Sequence, residues 1–303
     1  MGRGFPPWSN GPMTEPGDRT KGAALVALAA LLWSSSGLFI KVLPLGALQI
    51  AFARSLVAAL TIALVVRLRG GRPFPRPDAL ALACALSYAG VLVCFVAATK
   101  LTTAANAIFL QFSAPIYLVF LEPFLAGRRV AGRDLAAVMV CVGAMALFFV
   151  GRLGAGTLSG NLIGMAAGLC LALFSLTLKL QRERRPEADP ISSIILGNLL
   201  VAALCAPPAL RGFHPSPVHA GILLYLGVFQ IGVAYLFFNA GMKHLSATAA
   251  VVTGTLEAVL NPIWVFLGIG ERPSGWALLG GAMILGTIAW YSLPPRLKAA
   301  QAR

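Results

Sequence analysis

Charged residues are scarce in this chain, and that scarcity indicates the solvent in which the chain folds. Of its 303 residues 11% are charged and 58% are hydrophobic, whereas a soluble domain carries about 25% charged residues. The chain cannot cover itself with polar surface, so lipid must be its solvent. The net charge of +14 does not indicate nucleic-acid binding, because the basic residues lie between apolar segments and form no single patch.

Cysteine and histidine are also few, and they are not arranged as ligands. None of the five cysteines forms a CxxC pair, and no histidine lies near one at metal-ligand spacing. All five cysteines fall within apolar segments, which is typical of small buried residues. The sequence also lacks the G-x-x-x-x-G-K-[ST] loop that cradles nucleotide phosphates. We therefore expect no metal site, no cofactor and no catalytic residue.

Ten apolar segments are long enough to be considered as membrane spans, since a spanning helix needs about 20 mostly apolar residues. The predicted spans are 22–42, 47–66, 79–98, 103–125, 134–151, 159–179, 191–210, 218–239, 246–268 and 275–293. Residues 1–21, rich in Gly, Pro and charge, are predicted to be a disordered N-terminal segment. Residues 294–303 are predicted to form a C-terminal tail.

Lysine and arginine residues are distributed unevenly between the two ends of the predicted spans. One end collects the clusters Arg67, Arg69, Arg72 and Arg76; Arg128, Arg129 and Arg133; and Lys179, Arg182, Arg184 and Arg185. The other end receives the single residues Lys41, Lys100, Arg152, Arg211 and Arg272. Because loops rich in Lys and Arg stay cytoplasmic, both termini are predicted to face the cytoplasm of a bacterial inner membrane.

The second half of the chain repeats the first. Residues 56–60 (LVAAL) recur as residues 200–204, and Leu101-Thr102 recurs as Leu245-Ser246, both at an offset of 144 positions. The predicted halves, 22–151 and 152–293, hold five spans each. An odd number of spans inserts the second half upside down, so the predicted fold is all-α integral membrane, with ten transmembrane helices as two inverted five-helix repeats around a central cavity. Such repeats are typical of transporters that work by alternating access.

Three segments resemble the drug/metabolite transporter superfamily, in its EamA-type branch, over roughly residues 22–293. They are Leu31–Lys41 (LLWSSSGLFIK), Leu101–Pro115, and Leu256–Arg272, which ends in Gly270-Glu271-Arg272. The family usually has Pro after the Glu of its ninth helix; here Ala258 stands there and Pro262 follows four residues later, so a helix break is expected to be displaced. The resemblance implies a ten-helix carrier of small metabolites, often an exporter of amino acids.

Two charged residues lie well inside predicted spans, where an unpaired charge is costly. Arg54 is roughly 12 Å and Glu257 roughly 17 Å from the outer ends of their helices, at the helical rise of about 1.5 Å per residue. In a functional interpretation Arg54 binds a substrate carboxylate, while Glu257 takes an amine or a coupling proton. The structural alternatives are an ion pair between them, or an Arg54 that extends towards the interface.

Uncharged polar residues and deep aromatic residues complete the set of candidate substrate-binding residues. Thr253, Glu257 and Asn261 are spaced i, i+4, i+8 and share one helix face; Asn106 lies on a polar stripe of the fourth span, from which Gln111 points away. The aromatic candidates are Trp33, Tyr88 and Tyr235, which are expected either to form cavity walls or to pack in the core. Gln230 is a weaker polar candidate.

Three classes of function are compared. A secondary transporter that exports amino acids or their analogues is the leading hypothesis, with an exporter of cationic drugs as the alternative. An integral-membrane enzyme would need paired carboxylates or a His cluster near the interface, and a channel would gain from rings around an oligomeric axis. The predicted partners are a small-molecule substrate and membrane lipid, for a monomer or a homo-oligomer.

Overall fold

The computed structural model describes residues 16–74, 77–114, 116–118, 120–121, 132–147, 150, 155–184, 190–242, 244 and 253–292. Every regular element in these residues is a helix. The elements are α1 (Pro16–Ser34), α2 (Ser36–Val42), α3 (Ala47–Leu68), α4 (Ala79–Leu101), α5 (Ala104–Gln111), α6 (Gly132–Leu147), α7 (Ala155–Arg184), α8 (Ile191–Ala209), α9 (Pro217–Tyr225), a π-helical segment (Leu226–Val233), α10 (Ala234–Gly241), α11 (Leu256–Ile269) and α12 (Gly275–Ser292).

Six helical stretches are long and apolar enough to cross a membrane. They are Thr20–Val42, Ala47–Leu68, Ala79–Leu101, Thr157–Gln181, Ile191–Ala209 and Pro217–Gly241. Shorter apolar helices occupy Ala104–Leu118, Leu256–Ile269 and Gly275–Thr287. The chain is therefore an all-helical membrane protein, while the count of ten spans and the inverted arrangement stay predictions.

Several helix ends differ from the predicted ones. The first helix begins at Pro16, inside the segment predicted to be disordered, because proline suits the first turn of a helix, where its missing N–H is not needed. Residues 1–15, 122–131 and 294–303 lie outside the described residues. Helix α7 (Ala155–Arg184) extends past both ends of the predicted span 159–179.

Breaks within the spans have local causes. Between α1 and α2, the hydroxyls of Ser34 and Ser35 donate to the carbonyl oxygens of Leu31 and Leu32, both at 2.7 Å, and such bonds bend helices. Helix α5 ends at Gln111, the residue whose carbonyl the ring of Pro115 would meet four positions later.

The break in the ninth predicted span does not lie at Pro262. Helix α11 runs without interruption through Pro262, and a turn lies instead at Thr255, after a short helical stretch at residues 253–254. The break is thus displaced towards the start of the span. Residues 245–252, which precede it, lie outside the described residues.

The bundle places apolar side chains outside and polar ones inside. Leu60, Leu86 and Leu204 are more than 60% exposed, whereas Arg54 and Asn198 are buried. This distribution is the reverse of that in a soluble protein, and it suits a lipid solvent that cannot hydrogen-bond to polar groups.

Helix α4 lies at the centre, packed against α7 and α8, and α3 packs against α8 and the π-helical segment. Glycines permit these close contacts. A Cβ atom at Gly160 would stand 2.8 Å from the nitrogen of Thr102, and one at Gly168 would stand 2.7 Å from the carbonyl oxygen of Leu110. The spacing of Gly160, Gly164 and Gly168 therefore marks a helix-packing face, as expected for small residues at four-residue intervals.

The cysteines fit this packing only in part. Cys84 and Cys205 are buried, as expected, but Cys94 and Cys170 are partly exposed. The thiols of Cys94 and Cys170 interact with each other across α4 and α7. Gly90 allows this approach, because a Cβ atom there would stand 2.6 Å from the Sγ of Cys170.

Gly197 allows α8 to approach α4, and a substitution there tests that contact. A Cβ atom at Gly197 would stand 2.7 Å from Tyr88 Cδ1 and 2.8 Å from the carbonyl oxygen of Ala85. We expect Gly197→Ala to lower the thermal unfolding temperature of the purified protein, because overpacking costs about 1–3 kcal/mol. Gly221→Ala is the matched control, since a Cβ atom there meets nothing within 4 Å. Equal unfolding temperatures for the two variants would contradict this packing.

Candidate functional site

Three aromatic residues predicted from separate spans come together in the centre of the bundle. The ring centroids of Trp33 and Tyr235 are 5.0 Å apart, and those of Tyr88 and Tyr235 are 5.2 Å apart. Phe174 lies 5.0 Å from Tyr88, and Phe238 lies 5.3 Å from Trp33. We call these five residues the aromatic cluster. Its edge-to-face and tilted geometry is the arrangement that aromatic rings prefer.

Arg54 lies beside the aromatic cluster, deep in the protein. Its side chain is 2% exposed, its Nη2 donates to the carbonyl oxygen of Leu92 at 3.2 Å, and its Nε has no hydrogen-bond partner. Its charge acts on the hydroxyls of Tyr88 and Tyr235. The side chain therefore does not extend towards the membrane interface, and a guanidinium with five donors keeps unused hydrogen-bonding capacity at the centre.

Two more buried polar atoms near Arg54 lack partners. The Tyr88 hydroxyl and the Asn198 Oδ1 have no hydrogen-bond partner, although Asn198 Nδ2 donates to the carbonyl oxygen of Ile194 at 2.9 Å. Gly197 lets the helix that carries Asn198 come close to the Tyr88 ring. Buried polar groups are normally paired, so three unpaired atoms around one ring indicate a place where a ligand or water completes the bonding.

Glu257 lies near Tyr235 of the aromatic cluster. It occupies the first turn of α11, is partly buried, and its charge acts on Tyr235. Arg54 and Glu257 form no ion pair, whereas Lys41 and Glu271 do, at 2.8 Å. The structural alternative of an Arg54–Glu257 ion pair is therefore wrong for this conformation: both charges face Tyr235, from different helices.

Asn261 connects helices α11 and α2. No described contact joins it to the aromatic cluster. It is fully buried, and its Nδ2 donates to the Ser36 Oγ at 3.4 Å. Gly37 makes the approach possible, because a Cβ atom there would collide with Asn261 Oδ1. The predicted stripe of Thr253, Glu257 and Asn261 is interrupted by the turn at Thr255, so Thr253 is not on a continuous helix face with the other two.

The other polar candidates lie in different places. Asn106 Nδ2 donates to Asn161 Oδ1 at 3.0 Å, in a network near the predicted outer end. Gln111 and Gln230 are buried, and the Oε1 atom of each lacks a hydrogen-bond partner. No described contact brings either glutamine to the aromatic cluster.

Two cavities lie near opposite predicted ends of the spans. One is lined by Phe174, Leu178, Pro190, Ile191, Ile194, Tyr235, Phe238 and Asn239. The other is lined by Lys41, Leu101, Thr102, Thr103, Asn106, Val150, Thr157 and Ser274. The first adjoins the aromatic cluster through Tyr235 and is nearly apolar, whereas the second is polar.

The residues that sequence reasoning missed include Asn161, Phe174, Asn198 and Phe238. A signal existed for the two asparagines, because polar residues inside spans are rare and often functional. Asn198 also lies 144 positions after Arg54, the offset of the repeat. No such signal exists for the phenylalanines, which are common in spans. Within the described residues, no group of three or more His, Cys, Asp or Glu could hold a metal.

Comparison with known proteins gives the context for this geometry. The pseudopaline exporter CntI of Pseudomonas aeruginosa is 25% identical over 87% of this chain and 93% of its own length. The aromatic amino acid exporter YddG of Ancylobacter novellus is 25% identical over 67% of this chain and 71% of its own length. A crystal structure that is 19% identical superposes with a TM-score of 0.63, covering 89% of this chain and 97% of its own, which shows a shared fold.

The sequence profile of one family matches the chain twice, over residues 20–150 and again over residues 158–293. Together the two matches include nearly all of the described helices. The chain therefore belongs to the EamA-like transporter family, of the drug/metabolite transporter type.

Proposed function

We propose that this transporter exports amino acids or their analogues across the bacterial inner membrane by alternating access. The observation that carries this proposal is the buried guanidinium of Arg54, which keeps an unpartnered Nε beside the aromatic cluster. Removing a charge from water without a full set of partners is costly. A substrate carboxylate would supply the missing partner through a charge-assisted hydrogen bond.

The rest of the aromatic cluster suits the other parts of such a substrate. Trp33 and Tyr235 offer ring surfaces to an apolar or aromatic side chain, since their centroids lie 5.0 Å apart with tilted planes. Glu257, which faces Tyr235, is on the side from which it can attract an ammonium group. A zwitterion thus meets a cation and an anion separated by apolar surface. Two relatives named as exporters, one of them of aromatic amino acids, support this class.

A cationic compound is the second candidate substrate. A cation is attracted to aromatic faces and to a carboxylate, and Glu257 beside Tyr235 supplies both. Arg54 argues against this candidate, because its positive charge lies next to the same tyrosine rings. The amino-acid proposal uses both charges, whereas the cation proposal leaves Arg54 opposed to its substrate.

Glu257 is the proposed coupling residue. It is a carboxylate inside a predicted span, adjacent to the aromatic cluster, so it could carry a proton in one direction and release it in the other. The proposed orientation has both termini in the cytoplasm, as the distribution of Lys and Arg predicts. In that orientation the nearly apolar cavity beside Tyr235 lies towards the cytoplasmic ends of its helices, the side from which an exporter loads.

Arg54→Gln tests the proposed carboxylate site. In proteoliposomes loaded with unlabelled amino acids, we expect saturable counterflow of labelled Phe or Met by the native protein. The Arg54→Gln variant should lose at least about tenfold in initial rate, since a charge-assisted hydrogen bond is worth about 1.5–3 kcal/mol.

Arg67→Gln is the control, because Arg67 lies on the same helix but is exposed, and it should exchange at the native rate. Lys and Thr report on side-chain preference in the same assay. Absence of exchange for every amino acid with folded protein would refute the amino-acid proposal. If the protein exchanged aromatic cations and the Arg54→Gln variant were fully active in that exchange, the result would favour the cationic compound as substrate.

Glu257→Gln tests coupling separately from binding. Counterflow needs no driving gradient, so this variant should keep much of its exchange. Uptake driven by an imposed pH difference should fall to the level of protein-free vesicles, because Gln cannot carry a proton. Glu183→Gln, an exposed carboxylate on α7, should leave both activities intact. Unchanged pH-driven uptake by Glu257→Gln would show that Glu257 does not couple transport to protons.

A further inference from the structure

The two halves of the chain are joined by an ion pair at the predicted outer end. Lys41 Nζ lies 2.8 Å from Glu271 Oε2, and the other carboxylate oxygen, Oε1, accepts from the backbone nitrogen of Ala104 at 2.8 Å. Lys41 also donates to the carbonyl oxygen of Thr102 at 2.7 Å. Lys41, Thr102 and Ala104 belong to the first half and Glu271 to the second, so the carboxylate bonds cross the interface between halves.

Local sequence explains why these groups meet. Helix α11 ends at Ile269 and is capped by Gly270, whose φ of 70° places it in the left-handed region that suits glycine. The chain then turns and presents Glu271 back to the bundle. Ala104 is the first residue of α5, so its N–H has no partner within the helix and is free to bond to a carboxylate.

A second layer of polar contacts lies beneath the ion pair. Thr102 Oγ1 donates to Asn161 Oδ1 at 2.9 Å, and Asn106 Nδ2 donates to the same oxygen at 3.0 Å. Asn161 lies on α7, in the second half. Gly160 permits this contact, because a Cβ atom there would stand 2.8 Å from the Thr102 nitrogen. Two layers thus tie the start of α5 to the second half.

We propose that Lys41 and Glu271 form an outer gate, which holds the bundle closed at this end and must separate when substrate leaves on the outer side. The proposal rests on alternating access but not on the identity of the substrate. The ion-paired side chains are 17% and 21% exposed, so the pair is partly shielded but still reachable by water, which lets it break and reform. The proposed gate also gives a role to two of the segments that resemble the EamA-type branch, one ending in Lys41 and the other containing Glu271.

Lys100 provides a matched control at the same end. Its Nζ donates to the carbonyl oxygen of Leu43 at 2.6 Å, so it is also a lysine bound to protein oxygen. Both partners belong to the first half, however. Loss of Lys100 should loosen a contact within one half without releasing the two halves from each other.

Ser36 is a suitable reporter position for opening. It is fully buried on α2, one and a half turns before Lys41, and its Oγ accepts from Asn261 of α11. We would introduce Ser36→Cys in a background without the five native cysteines. The rate of reaction with a membrane-impermeant methanethiosulfonate, added to each side in turn, then measures how often α2 and α11 separate.

We expect Lys41→Met and Glu271→Gln each to accelerate labelling from the predicted outer side by about fivefold, the ratio that corresponds to about 1 kcal/mol for such a pair. The combined variant should label no faster than about the faster single one, because both remove the same interaction. Lys100→Met should label at the rate of the parent protein. The charge-exchanged variant Lys41→Glu with Glu271→Lys should label more slowly than Glu271→Lys alone.

The gate is refuted if Lys41→Met and Glu271→Gln label at the parent rate, if Lys100→Met accelerates labelling equally, or if the acceleration is confined to reagent added from the opposite side. Thermal unfolding of each variant separates gate opening from general loosening, which would lower the unfolding temperature of all of them. Labelling needs no substrate, so this test stays informative even if no amino acid is transported.

Discussion

Lipid offers no hydrogen bonds, so every polar group within the bundle needs a partner from the protein or from what the protein encloses. Within the described residues, many polar groups meet that constraint by local bonds, such as those of Ser34 and Ser35 to the preceding turn. Arg54 meets it only in part, because one nitrogen donates to a backbone carbonyl while Nε has no partner. The proposed function depends on this guanidinium and on the aromatic rings packed beside it.

Polar groups are treated differently at the centre and at the predicted outer end. At the centre, Arg54, Tyr88 and Asn198 each keep an unpartnered atom. At the outer end, Lys41 and Glu271 satisfy each other and the free ends of neighbouring backbone. Polar groups that are hydrogen-bonded to each other stabilise one conformation, whereas polar groups without partners can bind a ligand. Substrate binding is therefore proposed at the centre and gating at the end.

Helices α3 and α8 contact each other, and they carry Arg54 and Asn198, which lie 144 positions apart in the sequence. Both residues lie near Tyr88, but one is a cation and the other a neutral amide. In the proposed function this difference suits a substrate whose two ends differ.

The sequence by itself determined the solvent, the helical class and the family, because hydropathy and rare polar residues are local properties. It also predicted that Trp33, Tyr88 and Tyr235 lie deep within spans. Only the tertiary structure decided which of them meet. It brought the three rings together, separated Asn261 and Asn106 from them, and paired Glu271 instead of Glu257 with a cation. Helical periodicity gives a residue's face and depth, but the rotation and approach of neighbouring helices depend on packing details such as Gly37 and Gly197.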